Sequence, residues 1–377
     1  MNTQIRVQIV QHLQPGGIET MALALADKHP EDTYIVSLQG RYEEALHRWP
    51  RLEKYRSKLI FMGKQPGIRP GLVWQLATLL KRLNASVVHT HHIGPLMYGG
   101  LAARLARVPH CIHTEHDAWH LSSIRRRMIE RALLSVVKPR LVADANIVLS
   151  SMRRLGIRYP AVVIPNGIDT DKFQRGNRLD ALTALGLQPW VVQHQNRTQQ
   201  QGKNLMILGC AGRLVAEKGY QHLISAMSHL PDYAVLLIAG DGPARADICR
   251  LAQQAGVEGR VYLLGAVNEM SLFYQCLDVF VMASLNEGLP LSPLEAQACN
   301  VPVVLTDVGG CREAICPDTG LLVQAGDGES LAWGIRKQMR NVQLFTRCKK
   351  RQNPRSFVAG QRDLSGMVSA YDHLLNS

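Results

Sequence analysis

The stretch LNEGLPLSPLEAQACN, residues 285–300, sets two carboxylates, Glu287 and Glu295, around a Gly/Pro-rich turn. Ser292 fits the N-cap of a helix, Pro293 its first position and Glu295 the third, the spacing of a capping box. Such a helix start presents backbone N–H groups and the positive dipole end, where a phosphate binds without any cationic side chain. Glu287 lies before the turn and has no capping role. It could hydrogen-bond a sugar hydroxyl while the helix start holds a phosphate.

Four other loops carry residues able to do chemistry: PGGIE (15–19), HTEHD (113–117), GRLVAEKG (212–219) and GDGP (240–243). Glycines such as Gly16 and Gly17 let a backbone approach a ligand closely, and Arg213 and Lys218 supply fixed positive charge. Taken singly, each loop also fits a plain turn, a solvated charge or a hydrogen-bonded strand-end histidine. Neither half of the chain contains a G-x-x-x-x-G-K-[ST] phosphate loop, and PGGIE lacks the third glycine of G-x-G-x-x-G. This argues against a P-loop NTPase and weakens a nicotinamide-dehydrogenase reading.

The elements that position these loops alternate between short apolar strands and amphipathic helices. IRVQIVQHL, TYIVSL, ASVVHTH and HCIHTEH read as strands in the first half, with ANIVLSS and PAVVIPNGI closing it. LMILGCAGRL, YAVLLIAGDG, VYLLG, DVFVMAS, PVVLTD and TGLLVQ follow in the second half. The pattern predicts two successive doubly wound α/β domains facing across a cleft, with ligands beyond the carboxyl ends of the strands. The domains are expected at 1–185 and 186–377, the last helix being able to pack back on the first. The polar, Gln-rich segment 174–204 reads as the interdomain connection.

Hydrophobic residues make up 46% and charged residues 19% of the 377, ordinary for a globular protein. The N-terminus lacks the h-region and cleavage site of a secretory leader, and eight scattered cysteines read as reduced thiols, so a cytoplasmic location is expected. Of the formal net charge of +13, residues 1–185 carry +12, which suggests an anionic partner. SSIRRRMIERALLSVVKPR (122–140) sets Arg125, Arg126, Arg127 and Arg131 beside Leu133, Leu134, Val136 and Val137. Such a helix suits an anionic membrane surface, or else packs its apolar stripe on the core. No RNA- or DNA-binding motif accompanies the charge, so nucleic acid is not expected.

Together, GGIE, HTEHD, IPNGID (164–169), GRLVAEKG, AGDGP and NEGLPLSPLEA resemble the family 4 retaining glycosyltransferases of the two-Rossmann (GT-B) architecture, in that order along nearly the whole chain. The last matches that family's E-x7-E motif. The resemblance implies that Gly17 approaches the donor pyrophosphate and that His116 contacts the transferred sugar. It implies that Arg213 and Lys218 neutralise the diphosphate, aided by N–H groups around Leu291 and Ser292. Glu287 would bind sugar hydroxyls, Glu295 the ribose, and Asn166 would sit near the cleft. Relatives often carry a Gly-Phe-Gly-type sequence where this chain has Gly288-Leu289-Pro290, which bears on donor identity.

The expected reaction is retaining transfer from a nucleotide-diphosphate sugar, UDP-linked, to a membrane- or lipid-linked glycan in cell-surface polysaccharide or lipopolysaccharide synthesis, at the inner face of the plasma membrane. Rival readings are a sugar-nucleotide epimerase, a phosphorylase, or a non-catalytic nucleotide-binding subunit. No cofactor or metal is expected. Asp169-Thr170-Asp171 mimics a metal-binding DxD but lies in the PNGID turn. His89, His91, His92, His113, His116 and His120 lie on or near strands whose alternate side chains diverge, and no cysteine pair completes a zinc site.

Overall fold

The computed structural model describes residues 4–345 and 353–376, so Cys348 lies outside the described residues. Contacts divide the chain into two compact units, one running to Gly167 and resuming at Leu364, the other spanning Ile168–Asp363. The first holds β1 (Arg6–Val10), β2 (Thr33–Ser37), β3 (Leu59–Phe61), β4 (Val87–His91), β5 (His110–Glu115), β6 (Arg140–Ala143) and β7 (Ala161–Val163). All pair in parallel, in the order β3-β2-β1-β4-β5-β6-β7. Helices cover both faces, so β1 and β4 are buried along nearly their whole length, polar Gln8, His89, Thr90 and His91 included, and Val7, Ile9 and Val88 are completely enclosed.

The second unit holds β8 (Met206–Ala211), β9 (Ala234–Ala239), β10 (Val261–Gly265), β11 (Val279–Met282), β12 (Val303–Thr306) and β13 (Leu321–Val323), in the parallel order β10-β9-β8-β11-β12-β13. Both sheets reverse their winding at one pair, β1/β4 in the first and β8/β11 in the second. Loops diverge from such a pair in opposite directions and open a crevice at the carboxyl ends. PGGIE follows β1 and His92 follows β4; GRLVAEKG follows β8 and NEGLP follows β11.

Two sequence expectations fail locally. ANIVLSS begins the helix Asn146–Arg154, with Val148 and Met152 turned inward one helical turn apart, and the strand lies just before it as β6. The polar segment 174–204, expected between the domains, lies within the second unit, where it forms two helices, Arg178–Ala184 and Gln188–Gln200. The first is capped by Asn177, whose Oδ1 accepts from Leu179 N at 2.9 Å. The second hides two polar residues: the ring nitrogens of His194 lie 2.8 Å from the Trp190 and Gly259 carbonyl oxygens, and the Thr198 hydroxyl donates to the Gln195 carbonyl at 3.0 Å.

Residues 168–185, assigned from sequence to the first domain, pack in the second unit. Arg178 forks onto Asp278 at 2.7 and 3.0 Å, and Phe173 meets Tyr274 edge-on. The helix Leu364–Asn376 belongs to the first unit, where Met367, Tyr371 and Leu375 pack with Met21, Ile112 and Val142. Among the described residues every cysteine is free, and only Cys249 is exposed.

Candidate active site

In the second unit, β8 ends in Gly212-Arg213-Leu214, and a single 3-10 turn, Ala216–Lys218, returns the chain toward β11. Gly219 ends that turn at φ +64°, with its backbone so close that a Cβ would lie 2.1 Å from the Ala283 carbonyl oxygen. Lys218 is thereby held over the end of β11. Its Nζ donates to Glu287 Oε1 at 2.5 Å, and Ser284 Oγ donates to the same oxygen at 2.6 Å. Thr306, at the end of β12, donates its hydroxyl to the Ser284 carbonyl at 2.6 Å. Arg213 is exposed and forms no ion pair among the described residues.

The loop after β12 completes the support. Gly310 N donates to the Gly288 carbonyl at 2.8 Å, and Gly309, at φ +48°, sits where a Cβ would come 1.8 Å from the Glu287 carbonyl oxygen. Sequence reasoning missed both glycines and Ser284. A Gly-Gly pair three residues past an apolar run was visible, but its partner, the Glu287–Gly288 backbone, was not.

The capping box does not form. The helix spans Leu291–Ala298, with Pro290 as its N-cap and no side-chain cap bond, so Ser292 falls inside the first turn. Glu295 is instead almost buried and accepts from the Tyr274 hydroxyl at 2.6 Å. Burial, then the charge of Glu295, holds the Tyr274 phenol well above its ordinary pKa, so it remains a donor. Pro290 has no N–H, and the first-turn amides of Leu291 and Ser292 open the helix two residues earlier than expected.

In the first unit, Gly16 is the N-cap of helix Gly17–Asp27 in an extended conformation open to any residue. His116 is buried beyond β5 with both ring nitrogens engaged: Nδ1 lies 3.2 Å from Asp144 Oδ2 and Nε2 lies 3.2 Å from His91 Nδ1. His91 Nε2 in turn meets Gln8 Oε1 at 2.8 Å. Asn166 donates to Asp144 Oδ2 at 3.2 Å, so two sequence candidates, His116 and Asn166, meet on one unforeseen carboxylate. Burial raises the Asp144 pKa, against the lowering effect of His116. A buried acid directly after a strand is a usable signal, but it was lost when the strand was placed at ANIVLSS.

The strand-end histidines do converge. His92, at φ +77°, bonds Asp117 Oδ2 at 2.9 Å, and His120 Nδ1 lies 3.1 Å from Asp117 Oδ1. Burial works against charge on both partners, yet their neighbours prevail: the bonds from His120 and His92 hold Asp117 well below the usual carboxylate range, and the carboxylates of Glu115 and Asp117 raise His92 to about 9. His92, Asp117 and His120 form one group with metal-ligand proximity; His113, Glu115 and Glu130 form another. The DxD-like triplet has ordinary work, since Asp169 Oδ1 accepts from the amides of Asp171 and Lys172 at 3.1 and 3.0 Å.

Comparison with known proteins identifies the family. Residues 193–355 match the family model described as glycosyl transferases group 1, and residues 15–172 match glycosyltransferase family 4. The chain is 30% identical to the lipopolysaccharide core biosynthesis mannosyltransferase LpsB of Rhizobium meliloti (strain 1021), over 71% of this chain and 69% of that protein. It is 28% identical to the UDP-Gal:alpha-D-GlcNAc-diphosphoundecaprenol alpha-1,3-galactosyltransferase of Escherichia coli, over 68% of this chain and 66% of that one. Among solved structures, Anabaena HepE in complex with UDP-glucose superposes with a TM-score of 0.80 at 19% identity, covering 98% of this chain and 99% of that one.

Proposed function

The chain belongs to the glycosyltransferases of group 1 and family 4, and from that premise we propose that it transfers a sugar from a UDP-sugar to a membrane- or lipid-linked glycan. The transfer would retain anomeric configuration and need no metal at the diphosphate. The observation that carries the reading is the Lys218–Glu287 pair at the β8/β11 reversal, with unpaired Arg213 beside it and a helix start at Leu291. Breaking a sugar–phosphate bond develops negative charge on the diphosphate and positive charge on the sugar. Arg213, Lys218 and the Leu291 and Ser292 amides would take up the first, and such preorganised charge is often the largest catalytic contribution. Glu287 would hold sugar hydroxyls and Glu295 the ribose.

Three relatives support the donor and acceptor classes. HepE was solved with UDP-glucose, the galactosyltransferase uses UDP-Gal on a diphosphoundecaprenol-linked sugar, and LpsB acts in lipopolysaccharide core synthesis. A thermal-shift screen of UDP-sugars, followed by product analysis in EDTA, tests the assignment. The expected result is stabilisation by one UDP-sugar and glycoside formation unaffected by the chelator. Isomerised donor or sugar phosphate as the product would establish the epimerase or phosphorylase instead. Turnover restored only by added Mg²⁺ or Mn²⁺ would overturn metal independence.

Membrane attachment would be peripheral, on the inner face of the plasma membrane; no helix among the described residues is long and apolar enough to cross a membrane. Helix Ile124–Val137 is the docking element, although Leu133, Leu134 and Val137 face the core. Its solvent side carries Ile124, Met128, Ala132 and Val136 at four-residue spacing, flanked by exposed Arg125, Arg126 and Arg131. Exposed Trp119 precedes it. Arg127 instead reaches the Leu155 carbonyl at 3.4 Å. The protein should float with phosphatidylglycerol-containing liposomes at low salt, and the triple Arg125→Glu, Arg126→Glu, Arg131→Glu variant should not. Equal flotation of both would remove this surface from the reading.

A further inference from the structure

His113 and Glu115 lie two residues apart on β5 and therefore point to one face of the sheet. Helix Ile124–Val137 covers that face and brings Glu130 down onto them, and all three side chains are completely buried. His113 Nε2 lies 2.9 Å from Glu115 Oε1 and 3.5 Å from Glu130 Oε1. From the loop after β5, His120 Nε2 comes within 3.8 Å of Glu115 Oε2. Both Glu130 oxygens, Glu115 Oε2 and His120 Nε2 are buried without a hydrogen bond. Native interiors rarely leave such groups unmatched, and an isolated buried carboxylate is costly.

The far sides of both imidazoles are already committed. His120 Nδ1 is 3.1 Å from Asp117 Oδ1, and His113 Nδ1 is 3.2 Å from the Thr90 carbonyl oxygen. Thr90 Oγ1 lies closer still to His113 Nδ1, at 2.9 Å. With Nδ1 engaged, both Nε2 atoms face the carboxylates, and a bound ion would replace the proton that His113 Nε2 shares with Glu115 Oε1 at 2.9 Å. This is the outer arrangement that metal-binding histidines show. Ligands about 2.0–2.1 Å from a tetrahedral zinc lie about 3.3 Å apart; the His113–Glu115 and His113–Glu130 separations, 2.9 and 3.5 Å, bracket that value, and His120 Nε2 approaches the second oxygen of Glu115 at 3.8 Å. Two carboxylates and two neutral imidazoles balance a divalent charge.

We propose that His113, Glu115, His120 and Glu130 form a buried site for a divalent first-row transition ion, zinc foremost, since the donors are nitrogen and oxygen without thiolate. The ion would fasten the end of β5 and its following loop to the helix above, and it takes no part in transfer. The rival occupant of the same space is water, with both imidazoles protonated.

Elemental analysis of the untagged full-length protein, purified with EDTA in the buffers, decides between them. The expected content is about one zinc or other first-row divalent ion per chain. Protein unfolded with chelator and refolded with Co²⁺ should show the visible absorption of a four-coordinate nitrogen/oxygen site. Glu130→Gln and His120→Ala should each lower metal content about tenfold, with circular dichroism showing that they fold. Should neither fold, the wild-type metal content and the Co²⁺ spectrum still decide. Wild type that is metal-free and takes up no Co²⁺ overturns the site, as does metal retained by both variants.

Discussion

Glu287→Ala should leave the UDP-sugar bound and slow transfer by about 10²–10³-fold, the scale lost when one preorganised electrostatic contact to a transition state is removed. The carboxylate oxygen that would face the sugar also accepts from Lys218 and Ser284. Its removal frees the Lys218 ammonium, which keeps its charge for the diphosphate, so UDP affinity should hold or tighten while turnover falls. That divergence between binding and rate is what a passive structural ion pair would not produce. Calorimetry with UDP and a radiolabelled transfer assay measure the two arms, and wild-type transfer by the variant would sink the role given to Glu287. A melting curve separates chemistry from unfolding, because Glu287 is nearly buried, with its side chain 9% exposed.

The second large effect lies at a residue that touches no substrate in this reading. Gly309→Ala should cut transfer by about 100-fold, the penalty expected when reacting groups are misplaced by about 1 Å. An alanine at φ +48° carries left-handed strain of about 1–2 kcal/mol, and here its Cβ would also collide with the Glu287 carbonyl oxygen. The backbone bearing Glu287 must therefore move. Gly326→Ala provides the control, since Gly326 has φ +76° with nothing within 4 Å of its Cβ position. That variant should share the strain without the collision and keep its transfer rate. If both variants transfer equally well, Gly309 does not position Glu287.

Much of this was legible in the residues. The two parallel sheets follow from apolar runs too short and too uniformly buried for anything but covered strands, and the loops with chemistry fell at the strand ends where winding reverses. The work of individual side chains was harder to read. Ser292 and Glu295 match a capping box letter for letter, yet the helix starts at Leu291, and a tyrosine from the preceding helix captures the acid. Local spacing could not reveal Tyr274, because that contact is tertiary. Asp144 was lost through a strand misplaced by a few residues, since β-branched Ile147 and Val148 mimic a strand while their neighbours follow helical spacing. The histidines were read apart by strand alternation. Their convergence depends on Glu130 from the covering helix and on the loop that returns His120 beneath it, and neither is encoded in the strand itself.

The segment Leu364–Asn376 fills part of the first unit's core, where Tyr371 Oη meets Thr114 Oγ1 at 2.9 Å and Arg6 pairs with Asp372 at 2.7 Å. The second unit is thus an uninterrupted stretch of chain spliced into the first. During synthesis on the ribosome, the seven-stranded sheet emerges early but lacks this piece of its interior until Leu364 and beyond are made. The later-born unit can finish folding sooner. Until then nascent β1–β7 lacks the cover that Met367, Tyr371 and Leu375 give to Met21, Ile112 and Val142.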